Sequence, residues 1–100
     1  MDQSTLDKLD AAWERGHGFL GLLWEGTYEE ALYVDFLHTL KNIAFEPDEL
    51  IPRSVVSLLW YIPLYMEWQV ERVAHVIPPK EYALKKTRIE NELERILGIP

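Results

Sequence analysis

The sequence predicts an all-α protein: a bundle of four helices, or five if the first one breaks, around a central proline-kinked apolar helix over residues 53–77. Three observations predict it. Apolar residues recur at spacings of three and four along successive stretches, the spacing that lines one face of a helix. Helix-stopping signals separate those stretches: Gly26, the 45–51 loop, Pro78-Pro79 and Gly98. Nowhere do apolar and polar residues alternate with the period of two that marks a half-buried strand.

The first helix has Ser4 and Thr5 as candidate caps, with Asp7 favourable in its first turn, and Met1 to Gln3 frayed ahead of it. Leu6, Leu9, Trp13, Gly16, Leu20 and Leu23 form its stripe, which runs to about Trp24. Gly16, Gly18 and Gly21 each weaken it by about 1 kcal/mol relative to alanine, so a break near Arg15–Gly18 is one outcome. A close approach of a neighbouring helix at Gly16 is the other. Thr27-Tyr28-Glu29-Glu30 fits a capping box, and the second helix is expected from Thr27 to about Ala44. Leu32, Phe36, Leu37, Leu40 and Ile43 are its inner face.

Phe45 to Ile51 (FEPDELI) reads as a loop, after which Pro52 opens the third helix. Val55, Leu59, Ile62, Met66, Val70, Val73 and Ile77 keep helical spacing through Pro63. Proline removes the bond to the carbonyl four residues back, at a cost of about 3 kcal/mol. The unbroken stripe therefore favours one kinked helix over two separate ones. Pro79 opens the fourth helix, with Tyr82, Ile89, Leu93 and Ile96 facing inward, and Gly98 ends it. Glu81 with Lys85 and Arg88 with Glu92 stand four apart on its outer side.

The chain of 100 residues is 48% hydrophobic, 12% aromatic and 27% charged, enough for one domain over residues 1–100 and too rich in core formers to be disordered. It has no cysteine, which excludes disulfides and thiol or zinc–thiolate chemistry. Its formal charge of −7 argues against nucleic acid as a direct ligand. The N-terminal residues lack the basic and apolar regions of a secretory signal. The longest apolar run, Val55 to Met66, falls short of the about 20 residues a bilayer needs. A cytoplasmic protein with no membrane contact is the expectation.

The charge is unevenly laid out. Residues 1–50 hold eleven acids and three bases, whereas residues 51–100 hold six acids and seven bases. Glu25, Glu29 and Glu30 cluster at one end of the second helix, and Glu46, Asp48 and Glu49 at the other. A solubilising surface accounts for such a layout. A face for a basic protein accounts for it too, because an acidic field steers a cationic partner. On that reading the partner-binding residues are Glu25, Tyr28, Glu29, Glu30, Asp35, Glu46, Asp48 and Glu49, with Trp24 and Tyr28 beside the first cluster as aromatic anchors.

Glu14-x-x-His17 and Asp35-x-x-His38 each place a carboxylate and a histidine one turn apart, on two different helices. Di-iron bundles use Glu-x-x-His in this way. Glu14 lies off the inner stripe, however, and Gly16 and Gly18 undercut the helix that would carry His17. A di-metal bundle is accordingly a remote alternative, and no metal ligand, cofactor or catalytic residue is assigned. Glu71 and His75, four apart, read as a surface pair. No nucleophile–base or phosphate-loop motif is present.

Trp60, Tyr61, Tyr65 and Trp68 crowd the third helix. Trp60 and Tyr65 are expected in the core. Tyr61, Leu64 and Trp68 form a second stripe, either covered by the last helix or left for a partner, a second copy of the chain included.

In its size, its lack of cysteine, the acid-rich stretch TYEEALYVDFLHTLKN and the helix WYIPLYMEWQVERV, the chain resembles the small immunity proteins of bacterial polymorphic toxin systems. It is most similar to those of contact-dependent growth inhibition. The resemblance implies a cytoplasmic inhibitor that performs no catalysis. Its partner would be a basic toxin domain, an RNase or DNase, blocked by electrostatic and steric occlusion. A helical adaptor or regulatory protein acting as a homodimer is the alternative.

Overall fold

The computed structural model describes residues 1–100 and contains helices only. They are α1 (Gln3–Ala12), α2 (Phe19–Trp24), α3 (Glu30–Lys41), α4 (Arg53–Trp60), α5 (Ile62–Trp68), α6 (Val70–Val73) and α7 (Pro79–Leu97). The radius of gyration is 13.4 Å and the extents are 43 × 27 × 20 Å. The expected helices map onto this order: the first splits into α1 and α2, the second is α3, the third is α4 to α6, and the fourth is α7. No helix is long and apolar enough to cross a membrane.

The first helix does break, and Asp2 rather than Ser4 or Thr5 caps it, its carboxylate accepting the Thr5 N–H at 2.8 Å. Gly16 is not part of the inner stripe. It sits exposed in the turn with φ 82°, a conformation other residues avoid. Gly21, in α2, lies against the Glu14 carbonyl so closely that a Cβ there would overlap it. The turn thus folds α2 back onto the end of α1, and Leu9, Leu20 and Leu23 enter the core together.

α3 starts three residues later than expected, and Thr27 to Glu30 form no capping box. Glu30 does not reach back to the Thr27 N–H. Its carboxylate instead accepts from the Tyr28 hydroxyl and pairs with Lys85 of α7 at 3.1 Å. The Thr27 N–H goes to the Leu22 carbonyl at 2.9 Å. The extended 27–29 segment lays Tyr28 against Phe19 and Tyr33. Phe36, Leu40 and Ile43 are buried as expected, Leu32 and Leu37 only half so, and Tyr33 is buried as well. Arg95 of α7 finishes this helix from outside, donating to the carbonyls of Ile43 at 2.8 Å and Leu40 at 2.9 Å.

The stretch expected as one kinked helix is three segments joined at Tyr61 and Gln69. Both joints keep right-handed helical dihedrals (φ −79°, ψ −15° and φ −95°, ψ 0°), so the path continues in helical sense although the bonding is interrupted. Pro63 falls in the first turn of α5, where its missing N–H costs nothing. Val55, Leu59, Ile62, Met66, Val73 and Ile77 of the stripe are buried and Val70 is half-buried. Gln69 is the one buried polar residue, and its Oε1 has no hydrogen-bond partner.

α7 runs as the pattern requires and buries Tyr82, Ile89, Leu93 and Ile96. The expected pairs along it do not form. Lys85 reaches across to Glu30, and Glu92 pairs with Arg95. Nor do Glu71 and His75 pair. Two tyrosine hydroxyls tie the layers together inside the core: Tyr65 donates to the Leu20 carbonyl and Tyr82 to the Met66 carbonyl, each at 2.7 Å.

Candidate protein-docking surfaces

The residues expected to bind a partner fall into two groups, apart from Asp35, which lies mid-way along α3 in the cleft facing α1. Helix α3 between them has 12 residues and rises about 18 Å. Glu25, Tyr28, Glu29 and Glu30 lie at its N-terminal end, and Glu46, Asp48 and Glu49 in the loop beyond its C-terminal end. Several of these side chains are committed internally. The Glu25 carboxylate accepts the Gly16 N–H at 2.9 Å. Glu49 accepts the Glu46 N–H at 3.1 Å. The Tyr28 hydroxyl and Lys85 hold the Glu30 carboxyl below the usual range. Tyr28 is half-buried, and burial followed by the Glu30 bond pushes its hydroxyl far up. Glu29, Asp35, Glu46 and Asp48 are exposed, and their carboxylates have no internal partner.

Trp24 is not free as an anchor. The Arg15 guanidinium lies over its ring at 3.6 Å and that of Arg72 at 4.9 Å, and Arg72 also donates to the Trp24 carbonyl at 3.1 Å. Such stacking shields the indole and spends two of the few bases of the chain.

The aromatic segment departs further from expectation. Tyr65 is buried, but Trp60 is 56% exposed. Trp60 stands one residue past the buried Leu59, about 100° round the helix, so its spacing off the inner stripe was the signal for its exposure. The stripe beside it is uncovered: Leu64 is exposed, Trp68 is 59% exposed and Tyr61 is half-buried. Edge-to-face contacts of Tyr61 with Trp60 (5.3 Å) and Trp68 (5.7 Å) hold these rings in one row. Trp13 supports the row from below, with its ring 4.9 Å from that of Tyr65 and its Nε1–H donated to the Leu58 carbonyl. Two grooves flank Trp60. One, of about 420 Å³, is walled by Trp13, Leu58, Tyr61 and Tyr65. The other, of about 270 Å³, is walled by Pro63, Leu93, Leu97 and the carboxylate-bearing Glu90 and Glu94.

The two carboxylate–histidine pairs open onto one cleft of about 490 Å³ between α1 and α3, which Glu14, His17, Asp35 and His38 share with Lys8 over a floor that includes Phe19 and Phe36. No three histidine or acidic side chains anywhere in the fold come together to hold a metal ion, so the donor set does not fit the di-metal arrangement. The cleft has an apolar floor and a mixed-charge rim, and its imidazoles lie at the rim.

Geometry thus supplies one surface able to lose water over a broad apolar area, the Trp60–Trp68 row. It also supplies a set of unpartnered carboxylates along α3 and at its two ends, and the pair Glu90 and Glu94 beside Trp60. No protein-family model, curated protein or solved structure matches the chain.

Proposed function

We propose that this chain is a non-catalytic cytoplasmic inhibitor of the immunity type, which binds a basic protein domain, a nuclease toxin by the resemblance noted above, and occludes its working cleft. The observation that carries the reading is the uncovered row of Trp60, Tyr61, Leu64 and Trp68 on a molecule of formal charge −7. Exposed aromatic anchors provide the desolvated centre of an interface. Surplus negative charge selects a cationic partner and accelerates encounter. Glu29, Asp35, Glu46 and Asp48 contribute to that field. Glu25 and Glu49 keep their charge although each accepts a backbone N–H, whereas the charge of Glu30 is offset by Lys85.

The experiment starts from the neighbouring reading frame. A basic C-terminal domain of a large secreted protein encoded there is co-expressed with this chain. Restored growth and a purified one-to-one complex are expected, with association slowing as salt is raised. Undiminished toxicity with no complex would refute the reading.

The uncovered row also favours a second reading, a homodimeric adaptor that pairs through Tyr61, Leu64 and Trp68. Mutual repulsion of two copies at −7 opposes it. Sedimentation of only monomer at high concentration and high salt would dispose of it.

A further inference from the structure

We propose that the groove between Trp60 and the C-terminal half of α7 is a receptor for one cationic side chain of a protein partner, arginine in preference to lysine. The proposal rests on the basic-partner reading above and names the contact through which that partner is recognised.

Glu90 and Glu94 stand one turn apart on α7, so both reach the same groove, opposite the indole of Trp60. Their charge is poorly compensated. Glu94 enters none of the salt bridges of the fold. Glu90 has only Lys86 at 3.9 Å, and that ammonium lies closer to Glu67, at 3.2 Å. An indole face attracts a cation through its quadrupole, and a guanidinium both stacks on it and bridges carboxylates. Pro63, Leu93 and Leu97 line the rest of the groove and suit the methylene stem of such a side chain. An anionic group would be repelled there, and a purely apolar one would strip water from the carboxylates without replacing it.

The same molecule shows an exposed indole already covered by a guanidinium at another place. Trp24, 40% exposed, has the guanidinium of Arg15 over its ring at 3.6 Å. Trp60 is more exposed and has no cation of this chain over it, although carboxylates stand across the groove. It is an indole–carboxylate site whose cation comes from elsewhere.

The test titrates the full chain at low salt with capped hexa-arginine, hexa-lysine and hexa-citrulline peptides. Calorimetry gives the affinity, and the Trp60 indole N–H is followed by NMR. The proteins are the wild type, Trp60→Leu, Glu94→Gln and Asp10→Asn, the last removing one exposed charge far along the chain. Hexa-arginine should bind more tightly than hexa-lysine, leave hexa-citrulline inert and shift the Trp60 indole. Trp60→Leu and Glu94→Gln should each weaken it about tenfold, and Asp10→Asn less than twofold. If Glu94→Gln weakens binding no more than Asp10→Asn and the Trp60 indole does not move, the groove is not the receptor, while the basic-partner reading stands. If hexa-arginine fails to bind the wild type, both fall. The indole signal is read on the unaltered protein, so the outcome does not depend on the variants folding.

Discussion

Tyr65 and Tyr82 show how a single polar atom can fasten a small core. Each is buried, and each gives its hydroxyl proton to a backbone carbonyl of a different helical layer at 2.7 Å. Removing the hydroxyl while keeping the ring should cost about 1 kcal/mol per site, so Tyr65→Phe and Tyr82→Phe should each lower the urea midpoint without changing the slope. The same burial sets an alkaline limit. It raises both hydroxyls above their ordinary value of 10.0. In the unfolded chain they ionise near that value, so unfolding releases protons at higher pH. Stability should be whole below about pH 10 and fall as pH rises past it. Denaturation series across that range should show a shallower fall for the double Phe variant, and an unchanged fall would refute the assignment. Glu30 works in the opposite sense. Its carboxyl is held down by the Tyr28 hydroxyl and then Lys85. Its contribution is present above the unfolded value and lost on acidification, and Glu30→Gln should flatten that acid limb.

At the scale of elements, the joints decide the shape more than the helices do. The α1–α2 turn depends on three glycines for two different reasons. Gly18 permits backbone contact with the Ala11 and Ala12 carbonyls. Gly21 permits backbone contact with the Glu14 carbonyl, whereas Gly16 has open space around it and needs only its positive φ. Gly21→Ala should therefore cost about 3 kcal/mol, at the upper end of overpacking, and Gly16→Ala about 1 kcal/mol. Equal losses in thermal unfolding would contradict this account. The end of α3 depends on Arg95, whose guanidinium serves two carbonyls from another helix. Arg95→Ala should cost about 2 kcal/mol. Arg95→Lys should recover only part of it, because an ammonium lacks the fork that reaches both oxygens. Full rescue by lysine in the same urea series would show that charge alone suffices.

For the whole molecule, the question is which surface meets a partner. A residue that supports only the fold loses stability when truncated, and one that supports only docking does not. Trp60 and Trp68 are more than half exposed. Trp60→Ser with Trp68→Ser should cost about 1 kcal/mol of unfolding free energy per ring, through the lost edge contacts with Tyr61, and abolish partner binding. A large drop in midpoint with binding intact would reverse the assignment. Neutralising Glu29, Asp35, Glu46 and Asp48 together should slow association at low salt and matter little at high salt, since their action is a screened field. Stopped-flow rates across a salt series distinguish this from a direct contact, whose loss would appear in dissociation.

Much of this was legible before the fold was known, and the division has a physical cause. Helical class, the α7 boundaries and its buried Tyr82, Ile89, Leu93 and Ile96 followed from spacing, because a periodic apolar stripe can be buried in only one way. Charge asymmetry and aromatic crowding were also plain in the residue order. The joints at Tyr61 and Gln69 were not, since their dihedrals stay helical and the stripe runs through them unbroken. Nor were the long-range partners of Glu30, Arg72 and Arg95, which lie 48 to 55 residues away in sequence. Sequence alone determined an acidic, all-helical chain with more aromatic side chains than its inner stripes require. Tertiary structure alone decided which of those rings are sealed, which carboxylates have internal partners, and that Trp60, Glu90 and Glu94 line one open groove. Side-chain accessibility is set by what distant segments cover, and local periodicity carries no record of that.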